Sequence, residues 1–374
     1  MSEEGMHVEV SDREPVLFCN RVSSLRALAI NPVYICIPSN QFPHLTHLYL
    51  AKISSLFLSR DVMTLLLRLL SNTPALQYLH IEGFTLKASH TATIGTASLQ
   101  RLRALTCGSS DLASALRLLS IVDIPGDVVI RLDRLDLCHA TLFWNISTRL
   151  EVATEDEELH LIADGPRSGL WIQVECVDGQ WDEWLSRLCT MIPLPSVTTL
   201  QASAVNQHII PSLIRQLPNL TKVAVRFNAG PLEEDEDRPS HELASSLYAT
   251  LATDLPHLEE LVLGVSAADP DKLSPSDLLS MAAARSERGR PLQGLVFDLL
   301  DFWPNMEVVC PVSPNIDLFR KAFTPVSEHV RDVQLLQDAG ACGFELRDMW
   351  TMREAERYWR IPNRQTPNYR LFWD

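Results

Sequence analysis

Residues 255–265 read LPHLEELVLGV, and the phrase returns as LPNLTKVAVRF from Leu217 and FPHLTHLYLAK from Phe42. Written as L-x-x-L-x-apolar, it recurs at Leu25/Leu28/Ile30, Leu45/Leu48/Leu50, Leu76/Leu79/Ile81, Leu102/Leu105/Cys107 and Leu132/Leu135/Leu137. Four later copies stand at Val197/Leu200/Ala202, Leu220/Val223/Val225, Leu258/Leu261/Leu263 and Leu292/Leu295/Phe297. The second and third apolar positions are two apart, the period of one strand face, while the first tucks in from the preceding turn. Each phrase predicts one short strand.

Between phrases the period becomes helical. Val62, Leu65, Leu66, Leu69 and Leu70 recur at helix spacing until Asn72-Thr73-Pro74 stops them. In SPSDLLSMAAARSERGRP, Ser274 reads as N-cap, Pro275 as the first helical residue and Asp277 as first-turn acid, with Gly289 and Pro291 beyond the end. Strand, helix and strand at intervals of roughly 20 to 40 residues imply a parallel sheet with right-handed crossovers. One such unit cannot bury its own apolar face, so stacked units are expected: an α/β fold, an irregular leucine-rich-repeat solenoid with a parallel inner sheet.

One segment breaks the rhythm. STRLEVAT, ELHLIAD and GLWIQVECV, divided by TEDEE and GPRSG, predict a small antiparallel β insertion over residues 147–177. WDEWLSRLC follows, with Trp181, Trp184, Leu185 and Leu188 on one helical face. The expected organisation is a poorly ordered N-terminus over 1–20, the solenoid over 21–343, and a C-terminal capping helix and tail over 344–374. That helix is expected from about Glu345 to Arg360, with Trp350, Tyr358 and Trp359 covering the apolar edge of the last coil.

Charge and composition narrow the function. Thirty-two basic against 47 acidic residues give a formal charge of −15, which repels phosphate backbones and anionic lipid, so neither nucleic acid nor a membrane surface is an expected partner. The acidic start, MSEEGMHVEVSDREP, lacks a secretory signal, and an intracellular protein, cytoplasmic or nuclear, is expected. The eight cysteines stand singly with no C-x-x-C pair, so they read as small buried hydrophobes and no metal is expected. No G-x-S-x-G, no phosphate-cradling glycine loop and no H-E-x-x-H occurs, so no catalytic residue and no cofactor are assigned.

Residues alternating with the buried leucines point out of the sheet. These are His47, Tyr49, Tyr78, His80, Glu82, Arg134, Asp136, Lys222, Arg226, Glu260 and Asp298, and they form the expected surface for a protein partner. A monomer is expected.

The order of leucine-rich strands, then GLWIQVECV, WDEWLSRLC and IPLPSVTTL, resembles the C-terminal regions of fungal F-box proteins with leucine-rich repeats, particularly mushroom-type ones. The resemblance covers most of residues 20 to 310. It implies the substrate-binding part of an adaptor for a cullin-based ubiquitin ligase. No Leu-Pro-x-Glu start of an F-box precedes Val22, so attachment to the ligase's linker subunit is not expected of these residues. The alternative is a free-standing leucine-rich-repeat scaffold or decoy without a ligase role, and a further alternative is an enzyme whose site is assembled from distant residues.

Overall fold

The computed structural model describes residues 15–33, 37–54, 62–85, 95–108, 112–135, 147–155, 158–175, 188, 194–204, 209–227, 240–265, 273–299, 316–337, 341, 347–351 and 353–359. The chain forms two compact units, residues 1–128 with 353–360, and residues 129–352 with 361–374. Both are mixed α/β layers built mostly from parallel strands, and among the described residues no sheet closes on itself.

In the first unit, β1 (Ala27–Ile30), β2 (His47–Ser54), β3 (Tyr78–Thr85) and β5 (Ala104–Gly108) pair in parallel in that order. A separate two-stranded parallel ribbon joins β4 (Ala97–Ser98) to β6 (Val122–Asp123). Helix α1 (Val62–Ser71) buries Val62, Met63, Leu66, Leu69 and Leu70; the expected stripe is there, with Met63 inside and Leu65 half-buried. Helix α2 spans Leu112–Ile121. Cys107 is buried as its apolar neighbours imply, whereas Cys19 is exposed.

The second unit contains β7 (Val129–Leu135), β8 (Arg149–Glu155), β9 (Glu158–Asp164), β10 (Gly169–Glu175), β11 (Thr199–Ala204), β12 (Lys222–Phe227), β13 (Glu260–Val265), β14 (Gly294–Leu299) and β15 (Asp332–Gln337). Their order in the sheet is β7-β10-β9-β8-β11-β12-β13-β14-β15. The antiparallel segment is therefore continuous with the sheet. Strands β8, β9 and β10 reverse direction twice, which restores the original sense, so β10 pairs in parallel with β7 and β8 in parallel with β11. Helices α3 (Ile209–Arg215), α4 (Ser240–Thr253), α5 (Pro275–Glu287) and α6 (Ile316–Phe323) pack each against the next. They lie on the leucine face: Phe323 of α6 stacks on Phe297 of β14, ring centroids 4.4 Å apart.

The repeated phrase has a local cause. In seven of the nine copies a backbone N–H bonds to the carbonyl three residues earlier: Leu25 to Val22, Leu45 to Phe42, Leu76 to Thr73, Leu102 to Leu99, Val197 to Leu194, Leu220 to Leu217 and Leu258 to Leu255; in the copy at Leu132 the first leucine lies inside β7 instead of in a turn before it. Five of these turns carry proline in second place, at Pro43, Pro74, Pro195, Pro218 and Pro256, where its fixed φ suits a β-turn, while Ser23 and Gln100 take that place in the other two. The turn sets the entry angle of the strand behind it. Neighbouring strands are then stitched together at their entrances, where one carbonyl accepts two N–H groups of the next repeat: Thr46 O from Gln77 and Tyr78, Thr198 O from Thr221 and Lys222, Thr221 O from Glu259 and Glu260. Threonine hydroxyls reinforce the stitch, Thr46 to Arg26 O at 3.0 Å, Thr198 to Thr148 O at 3.1 Å and Thr221 to Thr198 O at 3.1 Å.

Helix α5 begins at Pro275 as the sequence implies, yet Ser274 acts differently from a standard N-cap. It has a left-handed backbone (φ 46°), and its hydroxyl donates to the Asp277 carboxylate at 2.7 Å instead of accepting a backbone N–H. Near the other end of the helix, buried Arg285 donates to the carbonyls of Leu251, Leu255 and Leu258 at 2.7 to 2.9 Å, tying α5 to the turn of the LPHLEELVLGV phrase. The expected face at Trp181, Trp184 and Leu185 lies outside the described residues; Leu188 is helical and buried.

The C-terminal segment differs most from expectation. Its described residues form two 3-10 turns, Asp348–Thr351 and Ala355–Arg357, where a single helix to Arg360 was expected. Trp350 packs against Trp171 of β10, while Tyr358 and Trp359 meet His47 of β2. The aromatic spacing that reads as one helical face instead serves two separate anchors.

Candidate functional site

The leucine face of the sheet is covered by helices, and the opposite face carries the polar and aromatic side chains singled out above. In the second unit this face is lined along one row by Glu151 of β8, Ile162 of β9, Trp171 of β10 and Arg131 of β7. It is lined on the other side by Gln201, Ala224, Val262 and Val296 of β11 to β14. Its centre is Asp164, the last residue of β9, which is fully buried. Arg149, opposite it across the antiparallel pair, grips both carboxylate oxygens, Nε to Oδ1 at 3.1 Å and Nη2 to Oδ2 at 2.7 Å. This fork geometry is the strong form of an ion pair, and burial removes the water that would screen it.

Two side chains of the C-terminal segment complete the cluster. The Arg347 guanidinium donates to the Gly165 carbonyl and lies 3.4 Å from Asp164 Oδ1. Trp350 Nε1 donates to Asp164 Oδ2 at 3.3 Å, and its ring stands edge-on to Trp171, centroids 5.5 Å apart at 88°. Arg131 covers Trp171 with its guanidinium carbon 4.6 Å from the ring centroid, a cation–π contact. Gly169 forms the floor. A methyl group there would collide with Trp350 Cζ2 and lie 2.9 Å from Cη2, so only glycine leaves room for the indole.

Beside this cluster, Glu151 is 2% exposed and its carboxylate comes no closer to Arg149 Nη2 than 3.7 Å. Neither of its oxygens accepts a hydrogen bond. Burial pushes its pKa well above the ordinary 4.5; Arg149 opposes this, Asp164 adds to it and Arg347 opposes it. The result is a carboxyl group that burial makes harder to ionise than an ordinary one, next to another, Asp164, that two arginines and an indole hold in place. Further along the same face the segment is pinned again, where Asp298 Oδ2 accepts the Ala341 N–H at 2.6 Å and Ala341, like Val296, packs against Ala224 and Val262.

The first unit repeats the arrangement with aromatic groups. His47 Nε2–H donates to the Glu354 carbonyl at 2.9 Å, and its ring stacks on Tyr78 at 4.6 Å and meets Tyr358 edge-on at 4.8 Å. Burial lowers the His47 pKa below its ordinary 6.5, offset in part by the Glu354 carbonyl. Tyr49 contacts His80 at 4.8 Å and Trp359 at 5.8 Å, and its hydroxyl donates to Glu82 at 2.5 Å.

Of the residues expected to present a partner surface, His47, His80, Arg226 and Asp298 are buried. Tyr49, Tyr78, Glu82, Lys222 and Glu260 are half-buried, the last two joined in an ion pair at 2.7 Å. Arg134 is on strand β7, and Asp136 lies outside the described residues. The expectation of the face itself agrees with strand alternation; the expectation of free exposure fails at four of these positions, because the chain's own C-terminal segment and neighbouring side chains cover them. Sequence reasoning missed Arg149, Glu151, Asp164, Gly169 and the role of Arg347. A usable signal was the glycine immediately before Leu170-Trp171, at the end of the GPRSG turn.

Among the described residues no group of three or more His, Cys, Asp or Glu could hold a metal ion, and no helix is long and apolar enough to cross a membrane. Comparison with protein-family models, curated proteins and solved structures finds no match.

Proposed function

We propose that the chain is a non-catalytic protein-recognition module, a leucine-rich-repeat-like solenoid that holds a segment of another protein on the sheet face opposite its helices. The observation carrying this reading is that the face already holds a peptide-like segment, the irregular C-terminal 3-10 turn of the same chain. It does so through one guanidinium, one indole and a backbone carbonyl. Such a mixed set of side-chain contacts is the chemistry of peptide recognition, with aromatic and arginine groups concentrating the energy. The recurring turn, strand and leucine stack support the solenoid reading. With the resemblance to fungal F-box proteins added, the module is read as the substrate-binding part of a ubiquitin-ligase adaptor, located inside the cell.

The test has two arms. Reversing the half-buried rim pair, Lys222→Glu with Glu260→Lys, keeps the attraction between the two positions but inverts the face's charge pattern; a captured protein partner should be lost without a change in melting temperature. Retention of the same partner by the reversed variant sinks the face assignment. Mixing the purified chain with recombinant linker and cullin subunits addresses the adaptor role: a stoichiometric complex excludes the free-standing scaffold.

A further inference from the structure

The geometry around Asp164 points to a specific kind of partner. We propose that the slot formed by Gly169, Trp171 and Asp164 is a recognition site for a segment carrying an arginine and a tryptophan three residues apart, and that Arg347 and Trp350 are its built-in occupants. This rests on the protein-recognition reading and deepens it by naming what the face accepts.

Three observations converge. The slot is shaped for an indole: glycine at the floor leaves the space, Trp171 gives an edge-on wall, and Asp164 Oδ2 takes the indole N–H. It is charged for a guanidinium: the Asp164 carboxylate and the Gly165 carbonyl both face Arg347. It also has capacity beyond its present occupant, since both oxygens of buried Glu151 accept no hydrogen bond although they lie beside the Arg149 that grips Asp164. A visiting segment with a second donor meets an acceptor that Arg347 and Trp350 leave unused. The spacing follows from the 3-10 turn over Asp348–Thr351, which places side chains three apart on one side.

The tethered occupant acts as a filter. A segment joined to the same chain competes at an effective concentration of about millimolar, so an external segment succeeds only by binding distinctly better or by arriving where the internal one has been drawn away. Short aromatic-basic segments without the arginine-tryptophan pair do not displace it.

The experiment uses the full chain and a fluorescent peptide of residues 345–352, ELRDMWTM. Arg347→Ala with Trp350→Ala empties the slot. The peptide should bind this double variant saturably and wild type at least about 10-fold more weakly, because the tether competes only in wild type. Replacing the peptide's tryptophan by alanine should cost about 30-fold, as for a buried aromatic anchor. Adding Gly169→Ala to the double variant should abolish binding while circular dichroism stays unchanged. A folded double variant that does not bind the peptide, or binds it equally well with Gly169→Ala, overturns the proposal. Should the double variant not fold, hydrogen exchange at residues 347–351 of wild type decides: faster exchange under excess peptide supports displacement, and unchanged exchange overturns it. Peptide binding together with retention of a captured partner by the reversed rim variant would leave the slot assigned and sink the wider face assignment. The converse result would sink the slot alone.

Discussion

Two neighbouring parts of one sheet handle their open face in opposite ways. Along β12 to β14 the central row is Ala224, Val262 and Val296, small and apolar, and Ala341 covers it without polar cost at that row. Along β8 to β10 the same face carries Glu151, His160, Asp164, Trp171 and Gln173, all buried. Burying such groups costs several kcal/mol per charge unless each finds partners. The regular parallel strands derive stability from repetition of turns, threonine stitches and leucines. The antiparallel strands gather the denser cluster of buried polar groups and hold the C-terminal segment by a guanidinium and an indole, whereas β14 holds it by one carboxylate, Asp298, on the Ala341 N–H. Regularity marks the scaffold, and the break in regularity marks the site.

The largest test of this contrast is Asp164→Ala. It removes the carboxylate that the Arg149 guanidinium grips at both oxygens in a nearly closed environment, where breaking a buried pair costs about 3–5 kcal/mol. A urea-unfolding midpoint close to wild type would show the cluster to be dispensable and erase the distinction between the two regions.

Gly169→Ala comes next. The added methyl forces Trp350 out of its slot, with an expected loss of about 1–3 kcal/mol, the range for overpacking. Red-shifted tryptophan emission should accompany it. Unshifted emission with full stability would mean that the slot has more room than its geometry shows.

Thr221→Val tests the scaffold side. It keeps the shape and removes the hydroxyl bond to Thr198 O, for an expected loss of about 1 kcal/mol. The same change at Thr198, whose hydroxyl bonds Thr148 O, should give a similar value, since the stitch repeats. Widely different values would break the idea of equivalent repeats.

Glu151→Gln has the smallest effect at acid pH and a diagnostic slope. The folded pKa of Glu151 is raised above 4.5, so its contribution is fully present below that value and is lost as pH rises through the raised pKa. Glutamine does not titrate. The stability difference between variant and wild type should therefore be constant below pH 4.5 and grow in favour of the variant above it. Parallel curves over the whole range would show that the carboxyl ionises without penalty.

Local sequence determined the elements. Proline in the turn, a period-two strand and a helical stripe such as Leu66, Leu69 and Leu70 act within a few residues of one another, so the phrase at residues 255–265 was sufficient to place β13, and its copies placed the strands beside it. Strand alternation likewise fixed which side chains share a face: Tyr49 with His80, Lys222 with Glu260. What alternation does not contain is what lies over that face. His47 is covered by Glu354, 307 positions away, and Asp164 by Trp350, 186 positions away. Those contacts depend on where the chain returns after its last strand, which no local period encodes. Tertiary structure alone therefore turned an expected open surface into an occupied one, and a turn sequence, GPRSG, into the rim of a slot for arginine and tryptophan. The physical reason is range: hydrogen-bonded turns and side-chain periods act over one or two turns of chain, whereas desolvating Asp164 needs groups from β8, β9 and the C-terminal segment brought together at once.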